Sequence, residues 1–138
     1  MKIVAINGSA RLNGNTAIML NTALAVLAEE GFETELVQLG PKGLQGCIAC
    51  YKCFTNKDMR CAVKDEMNGH IEKLLSADGI LLGSPTYFAD VSTNMKSLID
   101  RAGMVSRAND DMFQRKVGAA VVTARRGGSI HTFDTINH

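Results

Sequence analysis

Four cysteines form the most chemically distinctive pattern in the sequence. Cys47, Cys50, Cys53 and Cys61 are spaced C-x2-C-x2-C-x7-C. Three cysteines at every third position place their sulfurs around one cavity, and a fourth can complete a set of four thiolates, as used by cubane iron–sulfur clusters. Zinc is an alternative, although it usually takes two ligands from each of two separated turns. Free or redox-active thiols are the third interpretation, so the spacing leaves a metal centre and reactive thiols open.

A second stretch, residues 8–16, has the composition of an anion-binding loop. It reads Gly-Ser-Ala-Arg-Leu-Asn-Gly-Asn-Thr between an apolar strand and an apolar helix. A strand that enters such a loop and then a helix directs backbone N–H groups and the positive helix end at one point. Arginine adds a fixed charge suited to phosphate oxygens. The candidate anion-binding residues are Ser9, Arg11, Asn13, Gly14, Asn15 and Thr16.

The glycine spacing limits which phosphate-containing ligands the loop at residues 8–16 could bind. No Lys-Ser or Lys-Thr pair follows the second glycine, Gly14, which excludes the P-loop of nucleoside triphosphatases. The glycines also do not match the Rossmann G-x-G-x-x-G spacing. A monophosphate is therefore the favoured ligand, and an ordinary turn with a helix cap is the alternative.

Alternating strands and helices must position these two stretches. The segments 3–6 and 79–83 are apolar throughout, as expected of central parallel strands covered on both faces, whereas 34–39 mixes polar and apolar residues. The pattern predicts one α/β domain over residues 1–138, with a doubly wound parallel sheet of strand order 2-1-3-4. We predict strands at 3–6, 34–39, 79–83 and 117–122, helices at 16–30, 64–76 and 92–102, and irregular segments at 40–60 and 103–114.

Two further loops follow the third and fourth predicted strands. In open α/β sheets, ligands bind beyond the carboxyl ends of the strands, so these loops should share a cleft with residues 8–16. Core packing is the alternative for the two aromatic residues, and a solvated surface pair is the alternative for the two arginines. The predicted lining residues are Pro85, Thr86, Tyr87, Phe88, Ala124, Arg125, Arg126, Gly127 and Gly128.

These loops resemble the NAD(P)H-dependent FMN reductase branch of the flavodoxin-like superfamily. The resemblance rests on Gly-Ser-x-Arg at residues 8–11, on the stretch from Gly83 to Arg101, and on Ala-Arg-x-Gly-Gly at 124–128. It implies that the first loop holds the phosphate of FMN and that the third touches the flavin ring. It also implies a flavodoxin-like fold, and an enzyme that passes electrons from NAD(P)H through FMN to a quinone, a flavin or an iron–sulfur centre.

The cysteine spacing is similar to that of iron–sulfur flavoproteins, a subgroup of the same family. This resemblance implies a [4Fe–4S] cluster held by the four cysteines and exchanging electrons with FMN. Two other functions remain open. One is a flavodoxin-like or iron–sulfur electron carrier without its own NAD(P)H site, and the other is a non-enzymatic domain that keeps the flavin fold.

Composition and charge restrict the partners. The 138 residues carry a formal net charge of +1, which gives no electrostatic basis for capturing nucleic acid or an anionic membrane. No apolar run approaches the roughly 20 residues of a membrane span, and the first strand begins directly after Met1. We therefore expect small-molecule donors and acceptors, and a cytoplasmic location. The three histidines, His70, His131 and His138, have no metal-ligand spacing.

The end of the sequence generates two further expectations. A flavodoxin-like sheet has a fifth strand and a closing helix, whereas the sequence stops within a helical pattern that contains Ile130, Phe133 and Ile136. We therefore expect the domain to be incomplete at its C-terminus, with strand four left as an apolar edge. Apolar residues in the irregular segments near the cleft predict a homodimer or homotetramer.

Overall fold

The computed structural model describes residues 1–40 and 42–138 and places them in one layered α/β arrangement. Within these ranges there are four strands and five helices. They are β1 (Lys2–Asn7), α1 (Asn15–Glu29), β2 (Glu33–Gln38), α2 (Lys52–Asn56), α3 (Met67–Ser76), β3 (Gly79–Pro85), α4 (Thr93–Ala108), β4 (Val117–Thr123) and α5 (Ser129–Asn137).

The sheet is parallel throughout, and its strand order is β2-β1-β3-β4. The order predicted from the sequence is therefore confirmed. In this register Asn7, the last residue of β1, lies beside Gln38 of β2 and Gly83 of β3. The chain winds outward from β1 in both directions, so the loops after β1 and β3 diverge and leave a crevice at the carboxyl edge.

The strand β1 separates two apolar layers because successive side chains point to opposite faces of a sheet. Val4 and Ile6 pack in the layer under α3 and α4. Ile3 and Ala5 pack in the layer under α1. Burial on both faces explains why this segment contains apolar residues without polar alternation.

Two helix boundaries differ from the prediction by more than one residue, and one helix was not predicted. The helix α4 continues to Ala108, so the prediction that residues 103–108 are irregular is wrong. Val105 and Ala108 extend its buried stripe, and this burial outweighs the cost of about 1 kcal/mol for Gly103 inside a helix. The helix α3 begins at Met67 rather than at residue 64. The five-residue helix α2 lies in the segment predicted to be a loop.

The strand β4 forms the outer edge of the sheet in the described part of the chain. Its first residues are solvent-exposed, and Val117 is 72% exposed. This agrees with the apolar edge predicted for strand four. Among residues 1–40 and 42–138, no helix has the length and apolar character needed to cross a bilayer.

The buried residue His70 should make stability depend on pH. Its Nε2 atom has no hydrogen-bond partner among the described residues, and burial lowers the pKa of the ring below its usual value. The unfolded chain therefore takes up this proton first, so stability is full above about pH 6.5 and decreases as the pH falls below it. We expect urea denaturation between about pH 7.5 and about pH 5.5 to show this loss.

The substitution His70→Leu should flatten that dependence, whose slope from one group is at most about 1.4 kcal/mol per pH unit. His138→Gln removes an exposed histidine and should leave the slope of the native protein unchanged. Equal slopes for His70→Leu and the native protein would contradict the assignment to His70.

Candidate functional site

A cleft of about 700 Å³ opens beyond the carboxyl ends of β1, β3 and β4. This volume lies within the range of about 300–1,000 Å³ that is typical of cofactor and ligand pockets. The first, second and third loops, which follow these strands, all contribute to its wall. The lining residues are Ser9, Arg11, Asn13, Gly14, Asn15, Thr16, Pro85, Thr86, Tyr87, Thr123, Ala124 and Arg125.

The first loop presents the amino end of α1 to the cleft. The N-cap residue is Gly14, and within the described ranges no side chain caps this helix end. The first N–H groups of a helix have no partner inside the helix, so they remain available to an anion. Arg11 lies on the same wall, and its backbone N–H donates to Ser9 Oγ at 3.1 Å, which folds the loop back on itself.

Polar side chains behind the first loop hold its carbonyl groups. Gln38 Nε2 donates to the Ser9 carbonyl at 2.5 Å, and Ser92 Oγ donates to the Gly8 carbonyl at 2.6 Å. Asn7 completes the network, because its Nδ2 donates to Gln38 Oε1 at 2.6 Å and its Oδ1 accepts from the Ser9 N–H at 3.0 Å. The loop is therefore fixed before any ligand arrives.

The sequence analysis did not identify this network. The available signal was the polar residue that ends each of two neighbouring strands, Asn7 on β1 and Gln38 on β2. Parallel pairing places these two residues side by side at the edge where the cleft opens. Ser92 could have been identified as a helix cap, because its Oγ also accepts from the Met95 N–H at 3.2 Å.

The second loop contains a tight turn that separates its two aromatic residues. Tyr87 and Asp90 exchange backbone hydrogen bonds of 2.8 and 3.1 Å, while Phe88 and Ala89 have φ values of 49° and 66°. Positive φ at both central residues is typical of a type I′ turn. Tyr87 lines the cleft, but Phe88, predicted to face it, lies fully exposed at the tip of the turn.

The third loop is joined to the other two by hydrogen bonds at Thr123. Its carbonyl accepts from the Thr86 N–H at 2.7 Å, and its hydroxyl lies 2.9 Å from that of Thr16. Thr123 is a lining residue that sequence reasoning missed, although a polar residue at the end of an apolar strand was a signal. The predicted residues Ala124 and Arg125 line the cleft, whereas 126–128 lie outside the lining.

The helix α5 supports the second loop from behind the cleft. Thr132 is fully buried, and its Oγ1 donates to Thr86 Oγ1 at 3.1 Å. Gly128 caps the helix with a φ of 90°, and a Cβ atom there would lie 2.7 Å from Ala89 Cα. Gly128 was predicted to contact the flavin. In the structure, glycine is required at this position because the second and third loops pack too closely for a side chain. A hydrogen bond from the Val91 N–H is the main cause that lowers the pKa of Asp90, a residue of the turn in the second loop. A hydrogen bond from the Thr135 side chain is the next cause.

The four cysteines line a second, separate cavity of about 20 Å³. Cys53, on α2, is buried, Cys61 is partly buried, and Cys47 and Cys50 are exposed. Burial is the main cause of the raised pKa of the Cys53 thiol. All four are free thiols. The four cysteine residues therefore lie at one cavity.

The backbone around these cysteines has an unusual conformation. Ala49, Tyr51, Lys57 and Met59 all have positive φ values, between 49° and 58°. Each such non-glycine residue costs on the order of 1–3 kcal/mol and persists only where surrounding contacts hold it. Tyr51 and Lys57 are the two residues that bound α2, so left-handed residues delimit both ends of the short helix that carries Cys53.

Whether this cavity fits a metal centre depends on the types of its donor atoms and on the positions of their side chains. The donor set fits, because four cysteine thiolates are the usual ligands of a cubane iron–sulfur cluster. The side-chain positions are less compact, since within residues 1–40 and 42–138 no three Cys, His, Asp or Glu side chains converge on a point that could hold a metal ion. The structure therefore gathers the four predicted ligands at one cavity without showing a formed metal site.

Comparison with known families gives a match over the whole chain. The sequence model described as NADPH-dependent FMN reductase matches residues 1–138. The chain belongs to this family. The resemblance found in the three loops is therefore confirmed, and family membership supports an FMN-dependent oxidoreductase.

Several proteins that are similar to this chain are named iron–sulfur flavoproteins. The chain is 41% identical to one from Methanocaldococcus jannaschii, with 100% of the chain and 70% of the relative covered. It is 35% identical to one from Methanosarcina thermophila, with 99% of the chain and 71% of the relative covered. These names direct attention to the four cysteines as well as to the flavin cleft.

Solved structures of flavin and quinone oxidoreductases share the fold. An NADH:FMN oxidoreductase superposes with a TM-score of 0.67 at 21% identity, covering 97% of this chain and 64% of that one. An NAD(P)H:quinone oxidoreductase from Methanothermobacter marburgensis gives a TM-score of 0.68 at 14% identity, covering 92% of this chain and 65% of that one. These matches confirm the flavodoxin-like architecture, and the chain spans less than two thirds of the length of either structure.

The network behind the first loop generates a prediction for this FMN reductase fold. Gln38→Leu removes the donor to the Ser9 carbonyl and the acceptor for Asn7, so buried polar groups lose their partners. We expect faster hydrogen exchange at residues 8–14, measured by mass spectrometry on the protein without added FMN. Gln114→Leu, a substitution at an exposed glutamine, is the control. Unchanged exchange in Gln38→Leu would show that the loop does not depend on this network.

Proposed function

We propose that the chain binds FMN in the cleft and passes electrons from NAD(P)H to a small-molecule or iron–sulfur acceptor. The observation that carries the proposal is the convergence of three loops on one cleft, with the uncapped amino end of α1 and Arg11 on the same wall. Helix N–H groups and an arginine provide the hydrogen bonds and the charge that a phosphate requires. Pro85, Tyr87 and Ala124 line the cleft beside this anion site and offer apolar contacts to the ring system of FMN.

The residues divide into two groups by the part of FMN that they would hold. The first loop, with Ser9, Arg11 and residues 13–16, would bind the phosphate. Pro85, Thr86 and Tyr87 would contact the ring, together with Ala124 and Arg125 of the third loop. When bound, FMN supplies the hydride and electron-transfer chemistry, so the protein needs no acid or base of its own.

The third loop supplies positive charge at the open side of the cleft. Arg125 lines the cleft and Arg126 follows it, and both are exposed. We propose that they attract the negatively charged NAD(P)H donor and stabilise the negative charge of the reduced cofactor. Arg126 lies outside the lining, so donor binding is the role that its position favours.

The phosphate assignment predicts a large loss of FMN affinity when Arg11 and Thr16 are both changed to alanine. Removing one charged and one neutral hydrogen-bonding group should weaken binding by at least about tenfold, because charged hydrogen bonds contribute roughly 1.5–3 kcal/mol. Fluorescence titration of flavin measures this change. Arg107→Ala removes an exposed arginine from α4 and should leave the affinity unchanged. Equal FMN affinities in all three proteins would contradict the assignment.

An electron carrier without an NAD(P)H site is the second candidate. It is supported by the four cysteines at one cavity and by the relatives named iron–sulfur flavoproteins. Steady-state oxidation of NADPH or NADH, with a quinone, free flavin or ferricyanide as acceptor, distinguishes the two. We expect saturable turnover of the FMN-loaded protein. Reduction by dithionite without turnover would favour the carrier, and failure to bind FMN would favour a non-enzymatic domain.

We also propose that Cys47, Cys50, Cys53 and Cys61 hold a [4Fe–4S] cluster. After strictly anaerobic purification, we expect about four iron atoms and four acid-labile sulfides per chain. Cys53→Ser, which changes the buried cysteine, should lower both values, while a substitution at exposed Met59 should not. Bound flavin with no iron in the native protein would leave these residues as thiols in a plain FMN reductase.

The remaining proposals concern assembly and location. We propose a homodimer or homotetramer, because Tyr51 and Phe54 expose aromatic surface on the cysteine loop, residues 47–61, and Phe88 does so on the second loop of the cleft. We propose small molecules as the donor and acceptor, with no nucleic acid or membrane involved. Four free thiols in one chain are consistent with a reducing cytoplasm.

A further inference from the structure

The arginine Arg101 of α4 is buried inside the wall of the cysteine cavity. It is 1% exposed, and all five N–H donors of a guanidinium group can be accounted for by its contacts. Nε donates to Cys61 Sγ at 3.3 Å. Nη1 donates to the Gln45 carbonyl at 3.0 Å and to Asp65, while Nη2 donates to the Val63 carbonyl at 3.3 Å and to Asp65 Oδ1 at 2.8 Å.

These acceptors lie on both sides of the cysteine loop. Gln45 precedes Cys47, whereas Val63 and Asp65 follow Cys61. The two ends of the loop therefore meet at one side chain. A buried charge requires a partner, and Asp65 supplies it through a bidentate contact, so the guanidinium plane has one orientation.

The position of Cys61 is fixed from two helices. Asn68 of α3 binds its backbone twice, since Oδ1 accepts from the Cys61 N–H at 2.8 Å and Nδ2 donates to its carbonyl at 2.9 Å. Arg101 of α4 binds its sulfur. Cys47 and Cys50, by contrast, are exposed on the loop. The sulfur of Cys61 is thus held in a defined place by its surroundings.

We propose that Arg101 is a positioning residue of the cysteine site, which orients the Cys61 sulfur as a ligand for a thiolate-bound metal ion. This inference rests on the proposed metal-binding role of the four cysteines. Outer groups that hydrogen-bond to a metal ligand orient it and adjust its donor strength. The Nε–H donor faces the Cys61 sulfur itself, so its direct effect on the metal passes through Cys61.

Lysine cannot replace arginine in this role. A guanidinium group is planar and presents its donors in a fixed fork, while an ammonium group is a point charge with three rotatable donors. Arg101→Lys keeps the positive charge for Asp65 but cannot serve Cys61, Gln45 and Val63 together. The variant therefore distinguishes the contribution of the planar guanidinium donors to metal binding from the contribution of the positive charge.

The test uses Co²⁺ as a probe of the reduced, metal-free protein under anaerobic conditions. Absorption from thiolate-to-cobalt charge transfer reports binding without FMN, iron or turnover. We expect Arg101→Lys to weaken Co²⁺ binding by about 10–100-fold, the usual cost of losing an outer-shell partner. Arg107→Lys, on the same helix but in an exposed ion pair with Asp111, should change it by less than about twofold.

A double-mutant cycle shows whether the effect passes through Cys61. In a Cys61→Ala background, Arg101→Lys should change Co²⁺ affinity by less than about twofold, because the sulfur that Arg101 orients is absent. An equal loss in both backgrounds would show that Arg101 only holds the loop together, and would overturn the inference. Absence of thiolate–cobalt absorption in the native chain would overturn it as well.

Two measurements keep these outcomes distinct from folding failure and from failure of the proposed function. Thermal unfolding and FMN affinity, measured for each variant, report whether the fold is intact. If Arg101→Lys does not fold, Asp65→Asn replaces it in the same cycle, since it removes the charge that fixes the guanidinium. Native protein that binds Co²⁺ but contains no iron would contradict the proposed cluster while leaving the cobalt comparison valid.

Discussion

The cleft depends on two backbone carbonyl groups that point away from it. The carbonyls of Gly8 and Ser9 accept hydrogen bonds from Ser92 and Gln38, which lie behind the first loop. A peptide unit is planar, so fixing its carbonyl on one side fixes the direction of the adjoining N–H group. The amino end of α1 can therefore be directed at an anion because the side chains of Ser92 and Gln38, and no ligand, determine the orientation of the loop before it.

The sheet was predictable because its central strands have no polar alternation. The segments around Val4 and Leu81 are apolar on both faces, and only a sheet covered by helices on both sides accommodates two such strands. Residues 9–16 were predictable for a similar reason, since small polar residues, glycine and arginine between a strand and a helix have few other structural explanations. Local composition was sufficient for both features.

Other features required contacts between distant segments. Phe88 has a positive φ value that is unusual for a bulky residue, and only the pairing of Tyr87 with Asp90 on either side of it explains its exposed position at the tip of the turn. The extension of α4 past Gly103 depends on burial of Val105, and the role of Arg101 depends on acceptors at residues 45 and 61–65. The four cysteines were evident from their spacing, but spacing contains no information on which sulfur is held.

The helix α4 contacts both the cleft and the cysteine cavity, from residues at different heights and on different sides of the helix. Ser92 caps one end and binds the first loop of the cleft, and Arg101, nine residues later, binds the cysteine loop. At about 1.5 Å and 100° per residue, the two contacts are roughly 14 Å and two and a half turns apart. Inserting or deleting one residue would rotate the guanidinium by about 100° away from its acceptors. The length of this helix therefore sets both the separation and the mutual orientation of the two sites, and neither can shift along the fold alone.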